Sequence, residues 1–451
     1  MNQNTICALA TAPGGALGII RVSGPDVFAA VSSLCSVNCA TCAANTTRYT
    51  CILTPSGEVV DEVLVTIFHA PHSYTGEDAV EISCHGSRYI VQHILDLLVE
   101  QGCRMAGPGE FTQRAYLNGK LDLSQAEAVA DLIASTNKAT HDIAMSQLRG
   151  HFSSELKTLR DQLLKLTSLL ELELDFSDHE DLEFADRTEL LALAKNIDRR
   201  ITTLASSFEK GQALKQGIPV AIVGKTNVGK STLLNALLKD DRAIVSDVHG
   251  TTRDTIEDTI DIQGVTFRFI DTAGIRQTTD TIERIGIDRT YQAIAKARIV
   301  LWLLDTPPTE AEVADITDRC QGRTLIPVWN KSDILPPRPV GCDVIAAPIH
   351  ISAKTGQGLA ALETAIYKAA DIPTLADTDV IVTNARHYES LTRAHSDLQR
   401  VLDGLHSQQS GDLLSEDLRL ALSNLAEITG EGMITPQETL NNIFSHFCVG
   451  K

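Results

Sequence analysis

Hydrophobic and polar positions follow three successive patterns along the chain. Up to about residue 118, short apolar stretches alternate with polar residues at 18–22, 63–67 and 80–84, the period-two signature of half-buried strands. Pro13-Gly14-Gly15, Pro55-Ser56-Gly57 and Pro108-Gly109 punctuate them as turns. From about Asp122 the period lengthens. Ser124 with Glu127 has the form of a capping box ahead of an apolar run. Leu156, Leu159, Leu163, Leu166 and Leu170 then recur at spacings of three and four, which predicts a helix with one long apolar stripe. The stripe covers too few heptads for a coiled coil, so it reads as the core face of a bundle.

Between 217 and about 372, short apolar strands alternate with helical segments. Strands are predicted at 219–223, 266–270, 299–304, 325–329 and 349–352. This alternation predicts a parallel sheet covered on both faces by helices. Helical spacing returns at Leu391, Leu398, Leu402 and Leu405, and a further helix is expected over about 416–428. The simplest organisation is a helical domain split by an α/β insert, which nearby domain termini permit. Four segments are expected: an N-terminal α+β domain (1–118), the first part of a helical domain (119–216), the α/β insert (217–374) and the second helical part (375–451).

A chain of 451 residues exceeds one ordinary core, in keeping with about two to four domains. Its 43% hydrophobic and 22% charged residues are those of a soluble globular protein. No apolar run reaches the length of a membrane span. The N-terminus lacks the basic and apolar regions of a signal peptide, so a cytoplasmic location is expected. The formal charge of -19 repels phosphate backbones, so any handling of RNA needs a local basic patch or a partner. Ten cysteines are dispersed except for Cys35, Cys39 and Cys42. That spacing matches no strong zinc pattern, and the cysteines read as reduced thiols.

The segment Gly224-Lys-Thr-Asn-Val-Gly-Lys-Ser231 fits the phosphate-loop pattern G-x-x-x-x-G-K-[ST] and follows an apolar strand. Its glycines permit a tight loop whose backbone N–H groups face phosphates, from Asn227, Val228 and Gly229 to Thr232. Lys230 is expected to reach the β- and γ-phosphates, and the Ser231 hydroxyl to bind Mg²⁺. Asp271-Thr272-Ala273-Gly274 follows a strand, where Asp271 can hold Mg²⁺ through water and the Gly274 amide can meet a γ-phosphate. Thr252, in Gly250-Thr251-Thr252-Arg-Asp254, is placed to complete the Mg²⁺ shell as a switch residue. In Asn330-Lys331-Ser-Asp333 the final carboxylate can accept two guanine hydrogen bonds, which adenine cannot offer. Ser352-Ala353-Lys354 resembles the last guanine-contact loop of GTPases. Each motif is weak alone; the ordered set is specific for GTP.

One position departs from the Ras pattern. Ile275 stands where Ras-like GTPases carry the glutamine that positions the attacking water. Asn227 is then a candidate ligand for a monovalent cation beside the phosphates. Glu283 reads from its spacing as a solvated helix charge, with orientation of water as the alternative.

These motifs, together with others across the chain, resemble the MnmE (TrmE) family. The further residues are Gly18-Ile-Ile-Arg-Val-Ser-Gly24, Tyr74-Thr-Gly-Glu-Asp78, Glu81, His85-Gly86, Gly107-Pro-Gly-Glu-Phe-Thr-Gln-Arg114, Asn118-Gly-Lys-Leu-Asp-Leu-Ser-Gln-Ala-Glu127 and the terminal Phe447-Cys-Val-Gly-Lys451. The resemblance implies a folate-binding (GcvT-like) N-terminal domain that pairs two chains into a homodimer, a central helical bundle, and a Ras-like G domain inserted in it. It places Arg21, Glu81, Lys120 and Lys451 at a reduced-folate site. It assigns K⁺ to Asn227 with Ser246, Val248 and Thr251, and makes Glu283 the catalytic glutamate alongside Asp271 and Lys230.

The resemblance further implies a flavoprotein partner, MnmG (GidA), in a heterotetramer. Together they would add an aminomethyl or carboxymethylaminomethyl group to carbon five of the wobble uridine of certain tRNAs. A methylene- or formyl-tetrahydrofolate would supply the one-carbon unit. Cys448 keeps two readings, a nucleophile near the folate and a packing residue. A second function class also stands: a switch GTPase for ribosome assembly or signalling. Such a protein has no need of a folate site or a C-terminal Cys-x-Gly-Lys.

Overall fold

The computed structural model describes residues 4–175, 187–239, 258–270, 291–334, 348–371, 380–430, 437–445 and 447–450. Ser246, Val248, Thr251, Thr252, Asp271, Thr272, Ala273, Gly274, Ile275, Glu283 and Lys451 lie outside the described residues. Contacts divide the chain into two units: Met1–Ile133, Ala144–Ile201 and Ser390–Lys451 form one, and Ala134–Ile143 with Thr202–Glu389 form the other.

The first unit opens with a six-stranded sheet of β1 (Ile6–Leu9), β2 (Leu17–Ser23), β3 (Thr46–Leu53), β4 (Val59–Phe68), β5 (Ala79–His85) and β6 (Arg104–Met105), in the order β3-β4-β5-β2-β1-β6. All neighbours are antiparallel except β1 and β6. The stretches at 18–22, 63–67 and 80–84 fall in β2, β4 and β5; the short β1 and β6 and the polar β3 carry weaker alternation. Strand pleating sends Val63, Val65, Ile67, Val80 and Ile82 to one face. Helices α1 (Val27–Leu34) and α2 (Arg88–Glu100) cover that face with Val27, Val31, Ile94 and Leu98. Arg21 and Glu81 alternate with these core positions and so point away from the core they form.

The helices of the first unit include α3 (Glu110–Leu117), α4 (Leu123–Ala134), α6 (His151–Asp175) and the start of α7 (Arg187–Gln216). Helix α5 (Lys138–Leu148) is shared between the units. The expected capping box at Ser124 and Glu127 is corrected. Asp122 is the cap: its Oδ1 accepts from Gln125 N at 2.9 Å, while Gln125 Oε1 accepts from Asp122 N at 3.0 Å. The box sits two residues earlier because Ser124 already lies inside the first turn. Its hydroxyl donates to Asp122 Oδ1 instead. The five stripe leucines of α6, Leu156, Leu159, Leu163, Leu166 and Leu170, are all buried, each contributing about 1.5–3 kcal/mol relative to exposure.

Helix α6 lies against the helix Gly411–Thr429, longer by several residues than the predicted 416–428.

The second unit is built on β7 (Ile218–Gly224), β8 (Asp258–Ile262), β9 (Val265–Phe269), β10 (Ile299–Leu304), β11 (Thr324–Trp329) and β12 (Ile349–His350). Their order is β12-β11-β10-β7-β9-β8, parallel except for β8 against β9. All six residues of β10 are buried, so its run Ile-Val-Leu-Trp-Leu-Leu is apolar throughout rather than alternating. Strand β12 is two residues long, shorter than the predicted 349–352. Strand β8 was not predicted: as an edge strand reading Asp-Thr-Ile-Asp-Ile it has little apolar signal.

On one sheet face pack α8 (Lys230–Lys239), with Leu233 and Leu237, and the helix Leu359–Ala369, with Leu362 and Ile366. Ile316 and Cys320, at the end of Glu310–Arg319, belong to the core on the other face. Leu214 and Ile381 also join the first of these cores. The chain passes between the two contact units at 133/134, 143/144, 201/202 and 389/390.

Candidate nucleotide site and a second polar face

Strand β7 has β9 on one side and β10 on the other, so the loop leaving its C-terminal end sits where the chain switches direction across the sheet. That is the binding crevice of open α/β sheets. The loop runs from Gly224 to Lys230, where α8 begins. Asn227 is left-handed, with φ of 62°; among non-glycine residues asparagine tolerates that region best. A Cβ on Gly229 would collide with Asn330 Nδ2, so the position requires glycine. Helix α8 begins directly after the loop, and the N-terminal end of a helix is where backbone N–H groups can receive phosphate anions. Lys230 folds over the loop, its Nζ donating to the carbonyls of Gly224 at 2.7 Å and Lys225 at 2.8 Å. Burial pushes its ammonium below the ordinary lysine value. Ser231 and Thr232 follow in the same helical turn.

Asn330 leaves the end of β11 almost wholly buried. Its Nδ2 donates to Val228 O at 2.8 Å and its Oδ1 accepts from Ala353 N at 3.0 Å. One side chain thus ties the phosphate loop to the Ser352-Ala353-Lys354 loop. Ser352 and Ala353 are buried, and Lys354 and Asp333 are exposed. Lys331, at φ of 62°, pairs through Nζ with Asp305 Oδ2 at 2.7 Å. The structure brings together the described residues of the sequence-predicted nucleotide set. Asp305, at the end of β10, and Glu312, which pairs with Lys225 at 2.7 Å, carried no recognisable motif in the sequence.

The second polar face lies on the first sheet. Arg21 and Glu81 are register partners across β2 and β5. Arg21 Nε and Nη2 donate to Glu81 Oε1 at 2.9 and 2.8 Å. The guanidinium carbon lies 5.2 Å from the ring centre of Tyr74 and 5.7 Å from that of Phe111. Arg21 Nη1 also reaches Gly450 O at 3.5 Å. The tail 447–450 reaches it by bridging: Val449 pairs with Pro108, and Gly109 N donates to Cys448 O at 3.4 Å. Gly450 has φ of 94°, and a Cβ there would collide with Leu9 O. Lys120 stands one loop away, its Nζ donating to Pro71 O at 3.0 Å and its side chain against Gly76.

Beneath this face sits a buried ion set that the sequence motifs contain without revealing. Arg114, 7% exposed, pairs with Glu77 at 3.1 Å and with Glu110 at 3.1 Å, and donates to Asn4 O at 2.8 Å. Burial raises the Glu110 carboxyl, but hydrogen bonds from Arg104, the Gly107 amide and Arg114 outweigh it and leave the group below its ordinary value. The Cys448 thiol is exposed, with no hydrogen bond to it among the described residues. Cys35 and Cys39 are buried against α1, and Cys42 packs beside them. Among the described residues no group of three or more His, Cys, Asp or Glu is arranged to hold a metal.

A phosphate loop at the switch point, joined through Asn330 to a guanine-type loop, defines a GTPase of the P-loop class. The model described as "MnmE helical domain" matches residues 123–448, and that described as "GTP-binding protein TrmE N-terminus" matches residues 5–120. The chain is 52% identical over 497 residues to the tRNA modification GTPase MnmE of Phocaeicola vulgatus, covering 100% of this chain and 99% of the relative. It is 52% identical over 470 residues to that of Bacteroides thetaiotaomicron and 47% identical over 468 residues to that of Flavobacterium johnsoniae, covering 100% of each chain. This chain belongs to the MnmE family of tRNA modification GTPases.

Proposed function

We propose that this GTPase acts on tRNA, coupling GTP hydrolysis to modification of the wobble uridine at carbon five. It works as a homodimer paired through its N-terminal domain, in a heterotetramer with the flavoprotein MnmG. The group added is aminomethyl or carboxymethylaminomethyl. A partner that carries much of the tRNA surface also answers the net charge of -19.

In this reading Asn227, Val228, Gly229, Lys230, Ser231 and Thr232 hold the GTP phosphates. Asn330, Lys331, Asp333, Ser352, Ala353 and Lys354 hold guanine. Mg²⁺, held by Ser231 and Thr252, and K⁺, held by Asn227, Ser246, Val248 and Thr251, contribute positive charge to the phosphates. Asp271 to Gly274 meet the γ-phosphate side, and Glu283 orients the attacking water. Asn227 lies in the turn between β7 and α8 with a left-handed backbone, within the loop that would face the phosphates.

Arg21, Glu81, Lys120 and Lys451 hold a reduced folate, which supplies the one-carbon unit when bound. An arginine–carboxylate pair suits a pterin amide edge, and two lysines suit a carboxylate tail. Tyr74, 37% exposed beside Arg21, offers an aromatic face to a flat heterocycle, while Phe111 is buried beneath it in the core. The observation that carries the reading is the seating of the C-terminal tail on this face, with Gly450 O at 3.5 Å from Arg21 Nη1. Two ends of the sequence are thereby joined at one polar surface, which a simple switch GTPase does not need. Cys448 stands exposed on the tail beside this face and keeps both of its readings, nucleophile and packing residue. Calorimetric titration of the full chain with a reduced folate tests the reading: saturable binding supports it, and absence of binding leaves the switch-GTPase class.

A further inference from the structure

A segment far upstream of the phosphate loop completes the nucleotide-binding unit. Ala134–Ile143 belongs to that unit, although some 75 residues separate it from β7. Ala139 and Ile143 are buried in its core with Ile260, Ile262, Val265 and Phe267. Strands β8 and β9 form a hairpin with Ile262 opposite Val265. Its two turn residues are both left-handed, Gln263 at φ of 55° and Gly264 at φ of 81°, the turn whose twist suits a tight hairpin.

The hairpin is locked to the start of α5 by three contacts. Gly264 O accepts from Ala139 N at 3.0 Å, so the turn satisfies one of the helix's orphan first-turn donors. Asn137 Nδ2 donates to Thr266 Oγ1 at 2.8 Å, while its Oδ1 caps the helix by accepting from Thr140 N at 2.8 Å. A Cβ on Gly264 would stand 2.9 Å from Lys138 Cβ, so the two backbones touch as closely as glycine permits.

The position of this hairpin in the chain gives the contact its meaning. The segment before β8 holds Thr252, and the segment after β9 begins at Asp271. On the reading above these are the two stretches whose contacts differ between GTP and GDP. Helix α5 continues to Leu148, and from residue 144 the chain counts with the other unit.

We propose that Asn137, Ala139, Gly264 and Thr266 form a nucleotide-state relay: the β8–β9 hairpin reads the γ-phosphate and passes its state to α5 as a change in the cap of that helix. The inference rests on the guanine-nucleotide reading. Asn137 and Thr266 are positioning residues, with no contact to nucleotide.

Linkage makes the relay measurable, because a contact that differs between two states changes the ratio of the affinities that define them. The first test is amide hydrogen exchange of residues 138–148 in the full, unaltered chain, saturated with GDP or with a non-hydrolysable GTP analogue. Exchange should differ between the two; identical exchange overturns the relay. The second compares affinities in Thr266→Val, Asn137→Ala and the double variant. Thr266→Val removes one hydroxyl and leaves the helix cap intact, so it remains informative if Asn137→Ala is poorly folded. The ratio of GTP-analogue to GDP affinity should shift by roughly threefold or more, and the two substitutions should be non-additive in it. Both affinities unchanged, or scaled by one common factor, mark the contact as structural only and refute the relay. Failure of the unaltered chain to bind either guanine nucleotide is a separate result, which refutes the nucleotide reading itself.

Discussion

Asn330 and Val228 are joined by a 2.8 Å hydrogen bond from the asparagine Nδ2 to the valine carbonyl, 102 residues apart in sequence. The same side chain accepts from Ala353 N. The 224–230 loop and the 352–354 loop are thus fixed to each other through one side chain. Asn330→Ala leaves a buried carbonyl and a buried amide without partners, at about 1–3 kcal/mol each. GTP affinity should fall by more than tenfold, about 1.4 kcal/mol, as read by titration of a fluorescent GTP. An affinity within twofold of the unaltered chain contradicts the tie.

Base choice should reside in Asp333, which is exposed at the end of its loop. Asp333→Asn places a donor against the guanine donors, so GTP binding should weaken by more than tenfold, about 1.4 kcal/mol. Xanthosine triphosphate should become the better ligand. Competition between the two nucleotides reads this, and an unchanged preference removes Asp333 from the site.

Folate binding should require the tail. Deleting Val449 to Lys451 removes the chain that meets Arg21 and leaves the second unit untouched. Folate affinity by calorimetry should drop while GTP hydrolysis stays nearly intact. Gly450→Ala should do the same, because a Cβ would strike Leu9 O and φ there is 94°. Full folate affinity in both variants contradicts the role of the tail.

Much of this was legible in the sequence. The phosphate loop could be read because its chemistry needs particular residue types at fixed spacing. The leucine stripe of α6 could be read because a helix core repeats every three to four residues. Strand β8 escaped because an edge strand needs no apolar run, and the cap at Asp122 because the Ser124-x-x-Glu127 spelling matched a box two residues out of place. The Arg114 ion set escaped for another reason. Its members lie at 77, 110 and 114, and only the fold brings the first to the other two. The 137–266 contact is of the same kind, since no local pattern couples a helix cap to a hairpin so far along the chain.

Acid should remove the stabilisation that the Glu110 carboxylate gives through Arg104 and Arg114. Glu110 has a carboxyl held below its ordinary value, so its stabilising contribution is present above the unfolded value, about 4.3 for glutamate. It is lost as the pH falls through the lower folded value. Thermal unfolding of Glu110→Gln should therefore differ from the unaltered chain at pH 7 and converge with it as the pH falls below the ordinary glutamate range. A difference independent of pH contradicts this assignment.

Hydrolysis should depend on K⁺. Ile275 cannot orient water, and charge must reach the transition state from elsewhere. Rates at saturating GTP and Mg²⁺ should be high in KCl and low in matched NaCl. Asn227→Ala should abolish the difference. Glu283→Ala should lower the rate with little change in GTP affinity, as when an interaction made only in the transition state is lost. Equal rates in the two salts contradict the cation assignment.

The central claim is that GTP hydrolysis here serves tRNA modification, and one assay meets it directly. The full chain is incubated with MnmG, GTP, Mg²⁺, KCl, a reduced folate, an amine donor and tRNA lacking the wobble modification, and the nucleosides are resolved by mass spectrometry. A carbon-five aminomethyl or carboxymethylaminomethyl uridine should form, and should disappear when GTP, the folate or this chain is left out. Unmodified uridine recovered while GTP is consumed would contradict the claim.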